Sequence, residues 1–317
     1  MKSCRVGSFR VYPLADESMG VRSMAIGVET SDVKILLDAG VSLAPRRYGL
    51  PPHPKEFGAA KAARERIMRF AEKADIVTVS HYHLDHYTPS FTSYYEWSSP
   101  DIFEELYSNK TIIVKRPGSD ISFNQRRRAH VLLEELRRLG SHVIEGDEAC
   151  LTFGSTSIKS LGVFPHGFEG PMGNVLCFVI EHGDHRLVYA PDVQGPIDPR
   201  ALEAILQSSP LAVIIGGPPT YLSGYKVASI LVEQGLSNLK MLASKALLIV
   251  SHHLLRDARW REKISGVDVH TYADLVDIKP AYLEATRKDL HASMPMSSTF
   301  TRWLERYRKG LREPPPL

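Results

Sequence analysis

The chain has 317 residues, 43 % of them hydrophobic, with 39 basic and 36 acidic side chains and a net charge of +3. That balance excludes a polybasic nucleic-acid-binding protein, though not a local basic patch, and the apolar content is enough for one large layered domain spanning 1–317. Cys4, Cys150 and Cys177 fit no Cys-x-x-Cys spacing and no apolar run reaches the ~18 residues of a membrane span, so a cytoplasmic protein without disulfides or a membrane partner is expected.

Short β-branched runs bounded by turn signals predict strands at 9–14, 23–29 and 33–40. A helix over 57–73 then leads into a strand over 74–81, with further strands at 110–115 and 141–146. Between those two lies a helix over 123–139, opened by Ser122 and Gln125 as a capping box and closed by Gly140. The stretch 174–192 reads as two strands joined by a His-Gly-Asp-His turn, followed by strands at 211–217 and 246–253 around a helix at 226–243. Helices at 279–291 and 298–309 make a C-terminal helical segment over 279–310, and the proline-rich tail 311–317 is expected to fray. Hairpin-spaced strands early and helix-separated strands later predict an α/β (α+β) layered domain. Asn and Gln number four each, a scarcity of amides that is one mark of thermophile proteins.

The stretch "SHYHLDHYTP" (80–89) places His81, His83, Asp85 and His86 at the end of a strand that is apolar on both faces. Pockets in α/β sheets lie at the carboxyl ends of strands. Residues i and i+2 of extended backbone point to the same side, so His81 and His83 should face one point while Asp85 and His86 face another nearby. Imidazoles and carboxylates suit zinc, iron or manganese, and the spacing fits two adjacent ions. Further ligands should also end strands, and His166, Asp192 and His252 do.

On these residues the sequence resembles the metallo-β-lactamase superfamily: Asp38 in "ILLDAG", then "HYHLDH", then His166, Asp192 and His252, a match covering about residues 20–260. Within it, "SHHLLRD" and "DVQGP" look like a largely archaeal branch of metallo-hydrolases, a likeness that supplies no substrate. The resemblance implies a four-layer αβ/βα sandwich with its metal site at the edge of the two sheets. It also implies that His81, His83 and His166 hold one divalent ion and Asp85, His86 and His252 a second. Asp192 bridges them, Asp38 stands behind the ligands, and zinc is the first choice, with iron or manganese as alternatives. Asp85 and Asp192 are then the catalytic carboxylates, and a metal-bridging hydroxide is the nucleophile. Because the last histidine is doubled, His253 is an alternative ligand. On an extended strand only one of the pair can face the metals, and His252 is favoured because it follows the strand-end serine.

Three loops or helix ends are expected to shape the substrate. The segment 40–56, with Arg46, Arg47 and Tyr48, could close as a lid, and 216–226 offers Thr220, Tyr221 and Tyr225. Arg126, Arg127 and Arg128 fall in the first turns of their helix, where the macrodipole disfavours cations. They point to an anionic substrate, a phosphodiester or a nucleic-acid-like molecule. Rival readings are a lactonase or thioesterase acting on an uncharged ester, and a metal-binding scaffold without turnover. The sequence leaves a homo-oligomer open.

Overall fold

The computed structural model describes all 317 residues. Seven strands lie side by side in chain order in one sheet: β1 (Cys4–Val6), β2 (Phe9–Asp16), β3 (Met24–Glu29), β4 (Lys34–Leu37), β5 (Ile76–Val79), β6 (Thr111–Val114) and β7 (His142–Glu145). Six more do the same in a second sheet: β8 (Cys150–Phe153), β9 (Thr156–Pro165), β10 (Asn174–His182), β11 (His185–Ala190), β12 (Ala212–Gly216) and β13 (Leu247–Ser251). Each sheet starts antiparallel and turns parallel at its fourth strand, β4 in one and β11 in the other.

Parallel neighbours need a crossover connection, and that is where the long helices fall. In the first sheet these are α1 (Pro54–Ala71), α2 (Pro100–Tyr107) and α3 (Phe123–Arg138); in the second, α4 (Pro199–Gln207) and α5 (Ser229–Ala243). After β13 come α6 (Trp260–Lys263), α7 (Tyr272–Leu275), α8 (Arg287–Ser293) and α9 (Ser298–Arg308).

Strand periodicity sorts the apolar side chains into layers. On β10, Leu176, Phe178 and Ile180 join Phe9, Ile26 and Ile35 between the two sheets. Val175, Cys177 and Val179 point the other way, toward the layer that includes Ala201 of α4 and Leu239 of α5. On the far face of the first sheet, Leu36, Val77 and Ile112 pack with Phe57, Leu106, Leu132 and Trp303 of α1, α2, α3 and α9. The result is the expected four-layer αβ/βα sandwich. No helix is long and apolar enough to cross a membrane.

Several elements depart from the sequence reading. Helix α1 begins at Pro54, capped by His53 with Glu56 in a reciprocal box; proline at the first helical position is favourable, but it read as loop. Helices α2 and α4 were not expected, and both also open on a proline behind a side-chain cap, Ser99 and Asp198. Strands β1, β8 and β9 were missed because they are short or broken by Ser, Lys and Gly. The helix expected over 279–291 is reduced to α8, because residues ahead of it are used in turns that pair Glu284 with Arg22 at 2.6 Å. The tail is tied down: Trp303 Nε1 donates to the Glu313 carbonyl at 3.0 Å, and Pro315 is buried.

Candidate metal centre

Four of the strands that point the same way, β4, β5, β11 and β13, end on one edge of the sandwich together with β9. Asp38 follows β4, His81 to His86 follow β5, His166 follows β9, Asp192 follows β11 and His252 follows β13. Close backbone approach lets these turns converge. A Cβ on Gly40 would sit 2.2 Å from the His86 nitrogen, and one on Gly216 2.7 Å from that of Asp192, so glycine is required at both. Asp38, Asp192 and His252 have φ of +48°, +49° and +64°, a region tolerated best by Asp, Asn and His among non-glycine residues.

The ligand-type atoms of His81, His83, His166 and Asp192 lie within 4.8 Å of one another, as do those of Asp85, His86 and His252. Asp192 joins the two groups. Its Oδ2 lies 3.0 Å from His166 Nε2, 3.2 Å from His86 Nε2 and 3.3 Å from His81 Nε2. Its Oδ1 lies 3.3 Å from His252 Nε2 and 3.6 Å from His253 Nε2. Yet neither oxygen receives a hydrogen bond of proper geometry, and His166 Nε2 is likewise unpartnered. A buried carboxylate left without donors is costly. Burial alone would raise the Asp192 pKa, but the fields of His252, His166, His86 and His253 hold it well below the usual carboxylate range. Burial first, and then His86, pushes His81 down to about 4, and burial with His81 pushes His83 well below its ordinary value. Both are therefore neutral imidazoles with free lone pairs near pH 7. Burial works against the charged forms of His86 and His252, but Asp192 raises the pKa of both; an anionic carboxylate among imidazoles, with only N and O donors, fits borderline divalent cations.

Four of the histidines are held from behind. His86 Nδ1 lies 2.7 Å from Asp38 Oδ2, which directs Nε2 to the centre. Asp38 is fixed in turn by the Ser80 backbone N–H at 2.9 Å, the Ser80 hydroxyl and the Tyr189 hydroxyl at 3.0 Å. His252 Nδ1 lies 3.1 Å from Glu17 Oε1. His81 Nδ1 meets Ser80 Oγ at 3.1 Å, and His166 Nδ1 meets the Gln194 amide at 3.2 Å. Such partners fix tautomer and ring orientation. Glu17, Ser80, Tyr189 and Gln194 were not anticipated. Gln194 could have been, lying two residues after Asp192; Glu17 arrives from a short turn after β2 and carries no local signal.

The doubled histidine corrects one expectation. Strand β13 ends at Ser251, and His252 to Arg256 form a 3₁₀ turn. Strand alternation does not apply there, so both rings reach Asp192. His252 is the more deeply placed, 3.4 Å from Asp85 Oδ2 and from His86 Nε2, while His253 is 14 % exposed. Arg256, four residues on, donates from Nε to Glu17 at 2.7 Å and from Nη2 to Asp85 at 3.3 Å, and its Nη2 lies 2.9 Å from His252 Nε2.

A cavity of about 350 Å³ opens over the cluster, with Arg22, Arg128 and Arg256 in its walls. The three arginines of α3 are thus separated. Arg126 turns back to donate to the Ile121 carbonyl at 2.7 Å, which offsets the dipole locally, and does not line the cavity. Arg127 lines only a neighbouring cleft, and Arg128, anchored on the Tyr82 carbonyl at 3.2 Å, lines both. The capping box expected at this helix is half formed. Ser122 accepts from the Gln125 N–H, but the Gln125 side chain instead bridges Tyr82 and Met172. In the 40–56 segment, Arg47 bonds the Arg256 carbonyl at 2.9 Å and stacks 4.2 Å from the Tyr221 ring, while Tyr48 bonds the Ala285 carbonyl at 3.0 Å. Tyr221 lies 3.5 Å from His253 Nδ1, Thr220 bonds Asp257 at 2.7 Å, and Tyr225 is exposed.

Residues 23–234 match the family model of a β-lactamase superfamily domain. A UPF0282 protein of Pyrobaculum islandicum is 42 % identical over 301 residues, covering 91 % of this chain and 96 % of the relative. One of Methanopyrus kandleri is 44 % identical over 288 residues, covering 89 % and 98 %. Among solved structures, the short form of human tRNase Z is similar at a TM-score of 0.46 and 12 % identity, over 87 % of this chain and 97 % of that one.

Proposed function

The chain belongs to the metallo-β-lactamase superfamily and to the UPF0282 proteins within it, and from that premise we propose a dinuclear metal-dependent hydrolase acting on a phosphate-bearing substrate. His81, His83 and His166 would hold one ion and Asp85, His86 and His252 the other, with Asp192 shared between the two groups. Zinc is the first choice for both. The observation that carries this reading is the Asp192 carboxylate, buried and without a donor, in the midst of five imidazole nitrogens at 3.0–3.6 Å. Two bound divalent ions would supply an activated water near neutral pH and a Lewis acid for the substrate oxygen.

The chain's own residues do the rest. Asp38 and Glu17 keep His86 and His252 in the tautomer that turns Nε2 inward. Arg256 balances the buried charge of Glu17 and Asp85. Arg128 and Arg22 stand in the cavity wall, where a planar guanidinium pairs well with phosphate oxygens. Cys177 plays no nucleophilic part: it is buried within a strand, and burial pushes its thiol far up.

The test is an assay of zinc-, iron- and manganese-loaded protein on bis(p-nitrophenyl) phosphate beside a neutral lactone and a thioester. The expected result is phosphodiester turnover with a KM that rises with salt. It should rise further in Arg128→Gln but not in Arg126→Gln. Turnover of the neutral esters alone would refute the phosphate assignment and leave the metal centre standing.

A further inference from the structure

Beside the cavity over the histidines lies a second cleft, of about 330 Å³, between residues 87–91 and α3. Its size falls at the lower end of small-ligand sites, ~300–1,000 Å³. Arg128 is a wall of both, so a molecule whose anionic group reaches the metal centre can extend directly into the cleft. Tyr87 and Phe103 are buried in its lining, whereas Phe91 is 51 % exposed and Val131 52 % exposed. Arg127 and Asn124 complete the rim, and no carboxylate lines it.

This combination selects an occupant. The aromatic surfaces want a flat or apolar group. The guanidinium planes can stack on a flat one, and the Asn124 amide, with a donor and an acceptor, can read a polar edge. The unopposed positive charge wants an attached anion. An alkyl chain on the same phosphate would satisfy the apolar walls and Arg128 but leave Asn124 and Arg127 without partners. A nucleobase joined to a phosphate satisfies all of them, because every base has a π-face and a hydrogen-bonding edge.

We infer that this cleft is a base-binding subsite, and that the substrate of the adjoining centre is a nucleotide phosphodiester with one base seated against Phe91. The inference rests on the phosphate-bearing substrate proposed above. The phosphate next to that base would meet Arg128 at the junction of the two cavities.

The experiment titrates zinc-loaded protein calorimetrically with adenosine 5′-monophosphate, ribose 5-phosphate and octyl phosphate, for the wild type and for Phe91→Ala. Phe91 is half exposed, so the variant should fold. The nucleotide should bind about tenfold or more tightly than ribose 5-phosphate, in the range that stacking one base on an aromatic ring contributes. Phe91→Ala should remove most of that ratio while ribose 5-phosphate binding is retained. Equal affinities for nucleotide and sugar phosphate, or a ratio indifferent to Phe91→Ala, would overturn the subsite and leave the phosphate reading intact. Octyl phosphate binding more tightly than the nucleotide would assign the cleft to an acyl chain and overturn the inference. Failure of all three phosphates to bind would overturn both the subsite and the phosphate reading.

Discussion

His81 and His166 are steadied by neutral groups, a serine hydroxyl 3.1 Å from one Nδ1 and a glutamine amide 3.2 Å from the other. His86 and His252 lean instead on buried carboxylates, Asp38 at 2.7 Å and Glu17 at 3.1 Å, with the Arg256 guanidinium pressed against the second pair. One half of the centre is thus positioned by weak dipoles and the other by formal charges. A carboxylate behind an imidazole raises its basicity as well as fixing it, so the charged half depends more on its support. It also carries more negative charge into the interior, and this accounts for a buried arginine there.

The largest effect should come where the halves meet. Asp192→Asn keeps a residue suited to positive φ but removes the shared anion, and turnover should fall to background. A thermal scan with and without metal separates loss of the ions from loss of the fold. Next come the supports. Asp38→Asn and Glu17→Gln should each weaken the Asp85/His86/His252 ion by roughly 10–100-fold, measured by competition with a chromogenic chelator. Gln194→Ala should weaken the other ion by less than about tenfold. Equal losses on the two sides would break the comparison.

The doubled histidine sharpens it. His252→Ala should cost more metal affinity than His253→Ala, because His252 alone of the two also approaches Asp85 and His86, yet His253→Ala should be measurable, since its ring reaches Asp192 as well. A silent His253→Ala would mean that the 3₁₀ turn places the second ring there without consequence.

The smallest effect is expected at the rim of the charged half. Burial works against the Glu284 carboxylate, but Arg22, Arg256 and Arg287 hold its pKa at about 2 against an ordinary 4.5. A depressed carboxylate stabilises fully above its unfolded pKa, and the contribution is lost as pH falls through the folded value. With Arg22 about one quarter exposed, solvent screening reduces this to roughly 1–2 kcal/mol. Glu284→Gln should lower stability by that amount at pH 7, and the gap to the wild type should close between about pH 4.5 and 2 in denaturant titrations. A gap that persists at pH 2 would assign the loss to packing.

What the sequence disclosed follows the same division. The loop at 81–86 was legible because its ligand-type residues crowd into six positions after an apolar strand. Asp192 and His252 were legible because each ends an apolar strand, and His166 because it follows an apolar run and a proline, although β9 itself was not anticipated. Glu17 and Arg256 were not, because 239 positions separate them and only the packing of the turn after β2 against the turn after β13 brings them together. The second ring at His253 was misjudged because strand alternation was carried one residue past the end of β13. Helices α2 and α4 are short, eight and nine residues, and each opens on a proline behind a side-chain cap; neither was anticipated.

The account turns on two ions sharing Asp192, and metal stoichiometry tests this most directly. Protein stripped with chelator, reconstituted with zinc and freed of excess should contain two ions per folded chain by elemental analysis, and Asp192→Asn should hold fewer. At most one ion in fully folded wild type, or an unchanged two in Asp192→Asn, would contradict it.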